Sequence, residues 1–480
     1  MGKNQLQGSA KGKWIAIVAM FLLFAMISFV TNLAAPLGTI WRNNYDWSGM
    51  VGNFMNFLAY LFMGIPAGKM LQNIGYKRTA QWAMVVGLIG LVFQWLSGES
   101  QWLSGVSQWL SGEVGADSAI FGIKLNYYIN LHGADLAIFG ISLNYYIYLL
   151  GAFICGFSVC MLNVVVNPML NLLGGGGNKG NQLVQMGGSC NSLAGTITPL
   201  LVGMLIGQVT VTTTISSVDL LLYIAMAVFA VALFIITAVA IPEPNKTGKR
   251  VKYTHSPWNF RHTVLGVIGI FFYVGIEVGI PGVLFFYLSD SSASGITENA
   301  TAVAGGIAAM YWLLMLVGRL TSSAISGKIS SRTQLIFVAS VAIALIVAAI
   351  FLPSDIRVSM PAYSAADGFS MCDVPMKALL LVLCGLCTSV MWGGIFNLAV
   401  EGLGKYTAQA SGIFMMMVFG GGVMPLIQNW IADNAGYMTS YWLVVAMLAY
   451  LLYYGLIGSK NVNKDIPVDE VEESEVPDAV

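Results

Sequence analysis

Long apolar runs alternate with short polar segments along most of the chain. Twelve of these runs reach the roughly 20 residues that an α-helix needs to cross the hydrocarbon core of a bilayer. We therefore predict an all-α, polytopic membrane protein with twelve transmembrane helices. Predicted spans one to six are 14–39, 51–71, 79–96, 143–170, 182–207 and 219–240, and spans seven to twelve are 262–288, 303–327, 333–352, 377–403, 407–431 and 440–457.

A polar connector, residues 242–261, divides the chain into two halves of six spans, residues 1–241 and 262–460. Residues 461–480 are acidic and have no hydrophobic periodicity, so we expect a disordered tail. The polar residues 1–13 precede an apolar run that is too long for the h-region of a cleavable signal. We therefore expect this run to be retained as span one.

Composition agrees with a membrane protein, because 57% of the 480 residues are hydrophobic and only 9% are charged. The net charge is zero, so no nucleic-acid partner is expected. With both termini in the cytoplasm, 18 of the 22 Lys and Arg residues lie inside, and only Arg42, Lys124, Arg357 and Lys377 lie outside. Basic residues are retained on the cytoplasmic side. We predict this orientation for a monomer in the lipid bilayer of the cytoplasmic (inner) membrane.

The segment before span four is repetitive. The motif QWLSG begins at Gln94, Gln101 and Gln108, and GADSAIFGIKLNYYINL from Gly115 is nearly copied as GADLAIFGISLNYYIYL from Gly133. The first copy is too short to cross the membrane and return, and its Trp and Tyr residues suit a membrane interface. We predict an insert over about 94–132 in an outer loop; the alternative is a binding lid or partner surface.

Span seven holds a carboxylate, Glu277, inside the apolar run FFYVGIEVGIPGVLFFYL. An ionisable group at membrane depth costs at least a few kcal/mol unless it pairs, protonates or faces water, so it indicates a substrate or ion pathway. Gly275, Gly279 and Pro281 lower the helix propensity around it. We predict that Glu277 binds substrate and couples an ion; the alternative is a neutral acid in a hydrogen bond between helices.

Amide and aromatic side chains within the spans favour a sugar site. Neutral polyols are bound by amides, which donate and accept hydrogen bonds, and by aromatic faces. Each amide could instead join two helices, and each aromatic ring could simply pack. No Arg or Lys is predicted away from the span ends, which argues against an organic-anion carrier. Besides Glu277, the predicted substrate-binding residues are Asn32, Asn163, Gln185, Asn191, Tyr273, Trp312, Trp392 and Asn397.

The sequence does not indicate redox, metal-binding or catalytic chemistry. Cys384 and Cys387 form a CxxC motif within an apolar helix, where cysteines most often pack, and the three histidines fall outside the predicted spans. No pairing of a nucleophile with a base lies within the spans. We therefore expect neither an enzyme nor a metal or cofactor site, and a coupling ion, sodium or proton, remains possible.

Several motifs resemble the major facilitator superfamily, whose members have two six-helix halves. Residues 68–78, between spans two and three, resemble its loop signature, with Gln72 at the usual acidic position. Further matches resemble the fucose permease and glucose/galactose transporter branch: Asn167-Pro168, Asn191-Ser-Leu, Tyr273-Val-Gly-Ile-Glu277, Gly318-Arg319 and Glu401-Gly-Leu-Gly-Lys405-Tyr.

This resemblance implies a secondary transporter for a monosaccharide, with a central site. Fucose permeases have carboxylates in spans one and four, where Asn32 and Asn163 stand here. Because neither amide titrates, we expect sodium coupling or none, with Glu277 as the remaining charged candidate. Gln185 lies about one turn before the usual glutamine position. A drug or small-solute porter of the same fold and a non-transporting sugar sensor remain the alternatives.

Overall fold

The computed structural model describes residues 10–98 except 43, short strands between 119 and 142, residues 141–241 except 175–176, 207–214 and 240, and residues 255–468 except 326–328, 365–367 and 464. Within these residues, eleven helical stretches are long and apolar enough to cross a membrane. Span five is a helix as well. Helices satisfy every backbone polar group internally, which the hydrocarbon core requires.

Each predicted span falls on a helix, so the predicted all-α fold is confirmed. Spans one to six lie in Ala10–Arg42, Val51–Leu96, Leu143–Leu173, Gly177–Ile206 and Asp219–Ala238, of which Val51–Leu96 holds both span two and span three. Spans seven to twelve are Arg261–Ser289, Ala300–Ile325, Ser331–Phe351, Met376–Val400, Thr407–Met417 with Gly420–Ala435, and Tyr437–Tyr453.

The turn between spans two and three is hydrogen-bonded to the end of span six. Gly75 turns the chain with a φ of 86°, a value that L side chains rarely adopt. Lys77 Nζ then donates to the carbonyls of Thr237 and Val239, at 2.8 and 2.9 Å. In the C-terminal half, Arg332 donates to the carbonyls of Gly455 (2.7 Å) and Leu456 after span twelve. Both basic residues therefore stabilise the negative end of a helix dipole.

Span eleven is interrupted at Val418 and Phe419, and the glycines that follow lie close to both halves. A Cβ on Gly420 would lie 1.9 Å from the Phe271 carbonyl oxygen, and one on Gly421 would lie 2.6 Å from Val274 and 2.8 Å from Phe57. Only glycine permits this approach to both span seven and span two. Asn53 of span two donates to the Gly421 carbonyl at 3.0 Å.

Strands occur outside the spans, which the sequence analysis did not predict. Arg357–Ser364 and Gly368–Pro375 form an antiparallel hairpin between spans nine and ten. Short strands also form in the repeats, where Asp135–Ile138 pairs with Ile129–His132. The second repeat copy starts span four at Leu143, whereas Ile129–His132, at the end of the first copy, is a strand. Tertiary context therefore decides the structure of this repeat.

The first residues of the predicted tail contact the helical bundle. Asn463 Oδ1 accepts a hydrogen bond from the Arg261 backbone N–H at 3.0 Å. Ile466 and Val468 pack on a small buried cluster formed by Phe260, Leu403, Tyr406 and Ala410. Two apolar side chains of this segment therefore cover a buried surface, while disorder of the tail stays a prediction. Residues 469–480 lie outside the described part.

Candidate functional site

A cavity lies between the two halves, lined by spans one, two, four and five of one half and spans seven, eight, ten and eleven of the other. Its empty volume is about 910 Å³, counting the part that is open to solvent. Seven of the nine predicted substrate-binding residues line it, and they come from both halves: Asn32, Asn163, Gln185, Asn191, Glu277, Trp312 and Trp392.

Tyr273 and Asn397 are not among the residues that line the cavity. Tyr273 is fully buried, and its ring centroid lies 6.0 Å from that of Trp392. It therefore supports the cavity wall from behind. Asn397 is half-buried, one helical turn beyond Gly393.

Glu277 is paired with Arg319, which was predicted to lie with the basic residues of the inner segments. The Arg319 guanidinium of span eight lies 3.1 Å from the Glu277 carboxylate, and both side chains are mostly buried. Counting Arg319 with the basic residues of the inner segments was wrong. The expectation that no basic residue lies away from the span ends was also wrong. The cavity therefore holds a compensated ion pair instead of a lone carboxylate.

Arg319 also joins the two halves. Its Nη1 donates to the Gly188 carbonyl at 2.6 Å and to the Ser192 hydroxyl at 3.0 Å, both on span five. Its Nη2 is held by Glu277 within the C-terminal half. A planar guanidinium offers several donors in fixed directions, so one side chain can serve three acceptors on two other helices.

Asn32 and Asn163 are anchored by their amide groups. Asn32 Nδ2 donates to the carbonyl and hydroxyl of Ser28, one turn earlier, at 2.8 and 3.0 Å. Asn163 Nδ2 donates to the Tyr60 hydroxyl at 2.8 Å and to the Val159 carbonyl at 3.2 Å. Tyr60 lines the same cavity and was not predicted as a site residue.

Two glycines bring polar and aromatic groups across the interface. A Cβ on Gly393 of span ten would lie 2.5 Å from Gln185 Nε2, so Gln185 reaches the opposite half only because residue 393 is glycine. A Cβ on Gly195 of span five would lie 3.0 Å from the Ser28 hydroxyl and 3.3 Å from the Trp312 ring. Trp312 of the C-terminal half therefore packs directly on the N-terminal half.

Contacts between the halves close the end of the bundle that lies away from the chain termini. Arg42, after span one, forms a 3.3 Å ion pair with Asp433 of span eleven. The same guanidinium lies 4.7 Å from the centroid of the Phe286 ring of span seven. Asn429 donates to the other oxygen of Asp433 at 2.9 Å, which holds that carboxylate in place. These contacts therefore join the two halves at this end of the bundle.

The sequence matches one family model and several known transporters. The model of the Major Facilitator Superfamily matches residues 133–424. A glucose/galactose transporter of Brucella abortus is 30% identical over 464 residues, which cover 94% of this chain and 96% of that protein. A putative glucose/galactose transporter of Helicobacter pylori is 26% identical over 462 residues, which cover 93% and 96%.

Two solved transporter structures share the fold of this chain at low sequence identity. The fucose:proton symporter of Escherichia coli superposes with a TM-score of 0.65 at 17% identity, over 94% of this chain and all of the other. A bacterial homologue of the iron transporter ferroportin, in its outward-facing state, superposes with a TM-score of 0.59 at 11% identity, over 92% and 97%.

Proposed function

The chain belongs to the major facilitator superfamily, in its fucose permease and glucose/galactose transporter branch, and we propose that it is a secondary transporter of a neutral monosaccharide. Glucose and galactose are the first candidates, because relatives aligned over nearly the whole chain carry these names. The observation that carries the proposal is the cavity between the halves, which combines amides, tryptophans and one compensated ion pair.

The charges of the cavity favour a neutral substrate. Glu277 and Arg319 are the only charged side chains among the described residues that line it, and they pair with each other. A charged substrate would have to displace one member of this pair and leave the other buried without a partner, which typically costs several kcal/mol. Sugar hydroxyls need only hydrogen bonds, which the amides provide, and Trp312 and Trp392 offer aromatic faces to the CH groups of a sugar.

Transport follows from movement of the two halves about this site. Arg42 and Asp433 hold one entrance closed, and they belong to different halves. Opening that entrance requires the pair to separate, while the cavity residues stay on their own helices. In the orientation favoured by the basic residues, with both termini in the cytoplasm of a bacterial inner membrane, the closed entrance faces outward.

Coupling is proposed to use sodium or to be absent. Asn32 and Asn163 cannot titrate, and Glu277 is bound by Arg319, so no isolated carboxylate is available to carry a proton through the cavity. Uptake of the sugar should therefore not be driven by a pH gradient alone.

The test is uptake of labelled D-glucose and D-galactose by the purified protein in proteoliposomes. Saturable uptake is expected with an inward sodium gradient, or equally without any ion gradient, and no accumulation is expected from a pH gradient in sodium-free buffer. Strong pH-driven accumulation without sodium would overturn the coupling proposal. Absence of uptake of every neutral monosaccharide, by protein that remains monodisperse, would overturn the proposed function.

A further inference from the structure

Span eleven has a hinge at the wall of the cavity. The hinge separates Thr407–Met417, the inner piece, which lies towards the chain termini, from Gly420–Ala435, the outer piece. Across it, the N–H groups of Val418 and Gly421 donate to carbonyls three residues earlier instead of four. Such 3₁₀ geometry inside a helix often marks a functional hinge, and glycine makes the backbone easier to bend. Because Val418 lines the cavity, a bend here changes the cavity wall.

The inner piece of span eleven packs on the other half of the protein. A Cβ on Gly64 of span two would lie 2.8 Å from the backbone nitrogen of Met416, so the two helices touch backbone to backbone. On its own half, the buried Phe414 ring packs edge-on against Phe396 of span ten, with 5.5 Å between the centroids. The inner piece therefore joins the two halves between the cavity and the end of the bundle that carries the chain termini.

The start of the tail holds the base of this inner piece. We call residues 461–468 the strap. Ile466 and Val468 of the strap pack on the buried cluster that contains Tyr406 and Ala410, which lie at the start of the inner piece. The same cluster contains the residue that precedes span seven. The strap therefore fastens the inner piece of span eleven to the start of span seven.

The loop between spans ten and eleven is shaped to admit the strap. Gly402 and Gly404 have φ values of 73° and 48°, which favour glycine. A Cβ on Gly402 would lie 2.9 Å from Asn461 Nδ2, and one on Gly404 would lie 2.6 Å from the Val468 carbonyl oxygen. Between these ends, Asn463 Oδ1 accepts the first backbone N–H of span seven at 3.0 Å. The strap is therefore in contact along its whole length.

We propose that the strap is an autoinhibitory clamp. While it is docked, it holds the inner piece of span eleven against span two and slows the release of sugar at that end of the cavity. The proposal rests on the proposed sugar transport and adds a regulatory element to it. Ile466 and Val468 are only partly buried, and few buried contacts make a segment easy to release. Release of the strap frees the inner piece to bend at its hinge.

Uptake of labelled D-glucose in proteoliposomes tests the clamp. The double variant Ile466→Asp with Val468→Asp places charges against an apolar cluster, which prevents docking. Its initial uptake rate, at equal amounts of inserted protein, is expected to rise about threefold or more as the released fraction grows. Val462→Asp is the matched control, because Val462 belongs to the strap but is 54% exposed, and its rate should equal that of wild type.

A strap that only stabilises the fold would give an unchanged or lower rate in the double variant, and this result overturns the proposal. If the double variant does not reach the membrane in normal amount, truncation after Lys460 removes the strap and should raise the rate in the same way. A truncated protein that is no faster than wild type likewise contradicts the clamp.

A distance measurement tests the movement without any sugar. Spin labels on Gln409→Cys, in the inner piece, and Thr321→Cys, in span eight, are placed in a protein whose six native cysteines are replaced. Both sites are exposed and lie in one half, so rocking of the halves leaves their distance unchanged. Strap release by the two aspartates is expected to add a second population of distances, whereas Val462→Asp should match wild type.

Identical distance distributions with and without the two aspartates overturn the inference. Absence of sugar uptake by the wild-type protein is a different result, because it removes the proposed function. A second population of distances in that case would still show that the strap holds the inner piece of span eleven.

Discussion

Replacing Arg319 by leucine is expected to abolish sugar transport, with uptake reduced at least a hundredfold. The change removes the pairing of Glu277 and both bonds to span five, and it leaves a mostly buried carboxylate without its partner. Breaking a buried ion pair from one side typically costs about 3–5 kcal/mol. We therefore also expect a lower unfolding temperature of the purified protein, measured by thermal melting in detergent.

Controls separate the ion pair from general damage to span eight. Thr321→Leu changes an exposed residue of the same helix and should leave both uptake and melting temperature close to wild type. The double variant Glu277→Gln with Arg319→Gln removes both charges, so it should recover much of the stability while transport stays absent. Uptake at the wild-type rate by Arg319→Leu would show that this residue has no part in the site.

Glu277→Gln is expected to remain folded with a lower unfolding temperature, because Arg319 loses its counter-charge, and to take up sugar more weakly than the wild-type protein. Glutamine keeps the shape and one acceptor oxygen for Arg319, but it removes the charge that holds the guanidinium. Loss of a hydrogen bond to a charged partner weakens binding by roughly 1.5–3 kcal/mol, about ten- to a hundredfold. Uptake kinetics in proteoliposomes measure this as a raised KM, and the amount of folded protein is measured by size-exclusion chromatography.

Wild-type behaviour of Glu277→Gln would assign this residue a different role. If this variant accumulates sugar with the affinity and rate of the wild-type protein, Glu277 has only a structural role. Arg319 would then act through its contacts with Gly188 and Ser192 alone. A reduced uptake rate with unchanged affinity would instead place the charge in the movement of the two halves and not in substrate binding.

The sequence predicted Glu277 as a central residue but not its partner. A lone carboxylate in an apolar run is visible without a structure, because its cost in a membrane is high. Arg319 lies six residues before Ile325, the end of its helix, about 9 Å along the helix axis. A basic residue at that depth resembles one that extends to the membrane surface, so only the packing of span seven against span eight identifies it.

The amide positions were predictable from the sequence, but their hydrogen-bond partners were not. Asn32 and Asn163 stand out because amides are rare in apolar runs. Their amide groups donate to the carbonyl one turn earlier and, for Asn163, to Tyr60 on another helix, and only the packed structure identifies these partners. The nearness of Gln185 to the other half likewise depends on the missing side chain of Gly393.

The helices were predicted well because one physical requirement, about 20 apolar residues per crossing, dominates the pattern. Segments outside the bilayer have no comparable requirement on their hydropathy. The hairpin between spans nine and ten had a local signal, Asp367-Gly368, a typical turn sequence, and Gly368 adopts a φ of 69°. The contact of the first tail residues with the bundle had none, because the two apolar residues bind a surface assembled from distant segments.

The claim that sugar binds in the cavity between the halves is tested most directly by protection of a cysteine placed there. Val278 lines the cavity, is partly exposed and makes no polar contact that the site needs. The background is a protein whose six native cysteines are replaced and which still transports glucose. Val278→Cys is introduced into it and treated with a maleimide. Asp355→Cys, in an exposed loop, is the control. At about ten times the dissociation constant, glucose should slow alkylation of Val278→Cys roughly tenfold and leave Asp355→Cys unchanged. An unchanged alkylation rate at Val278→Cys, in protein that transports glucose, would contradict the assignment of the site.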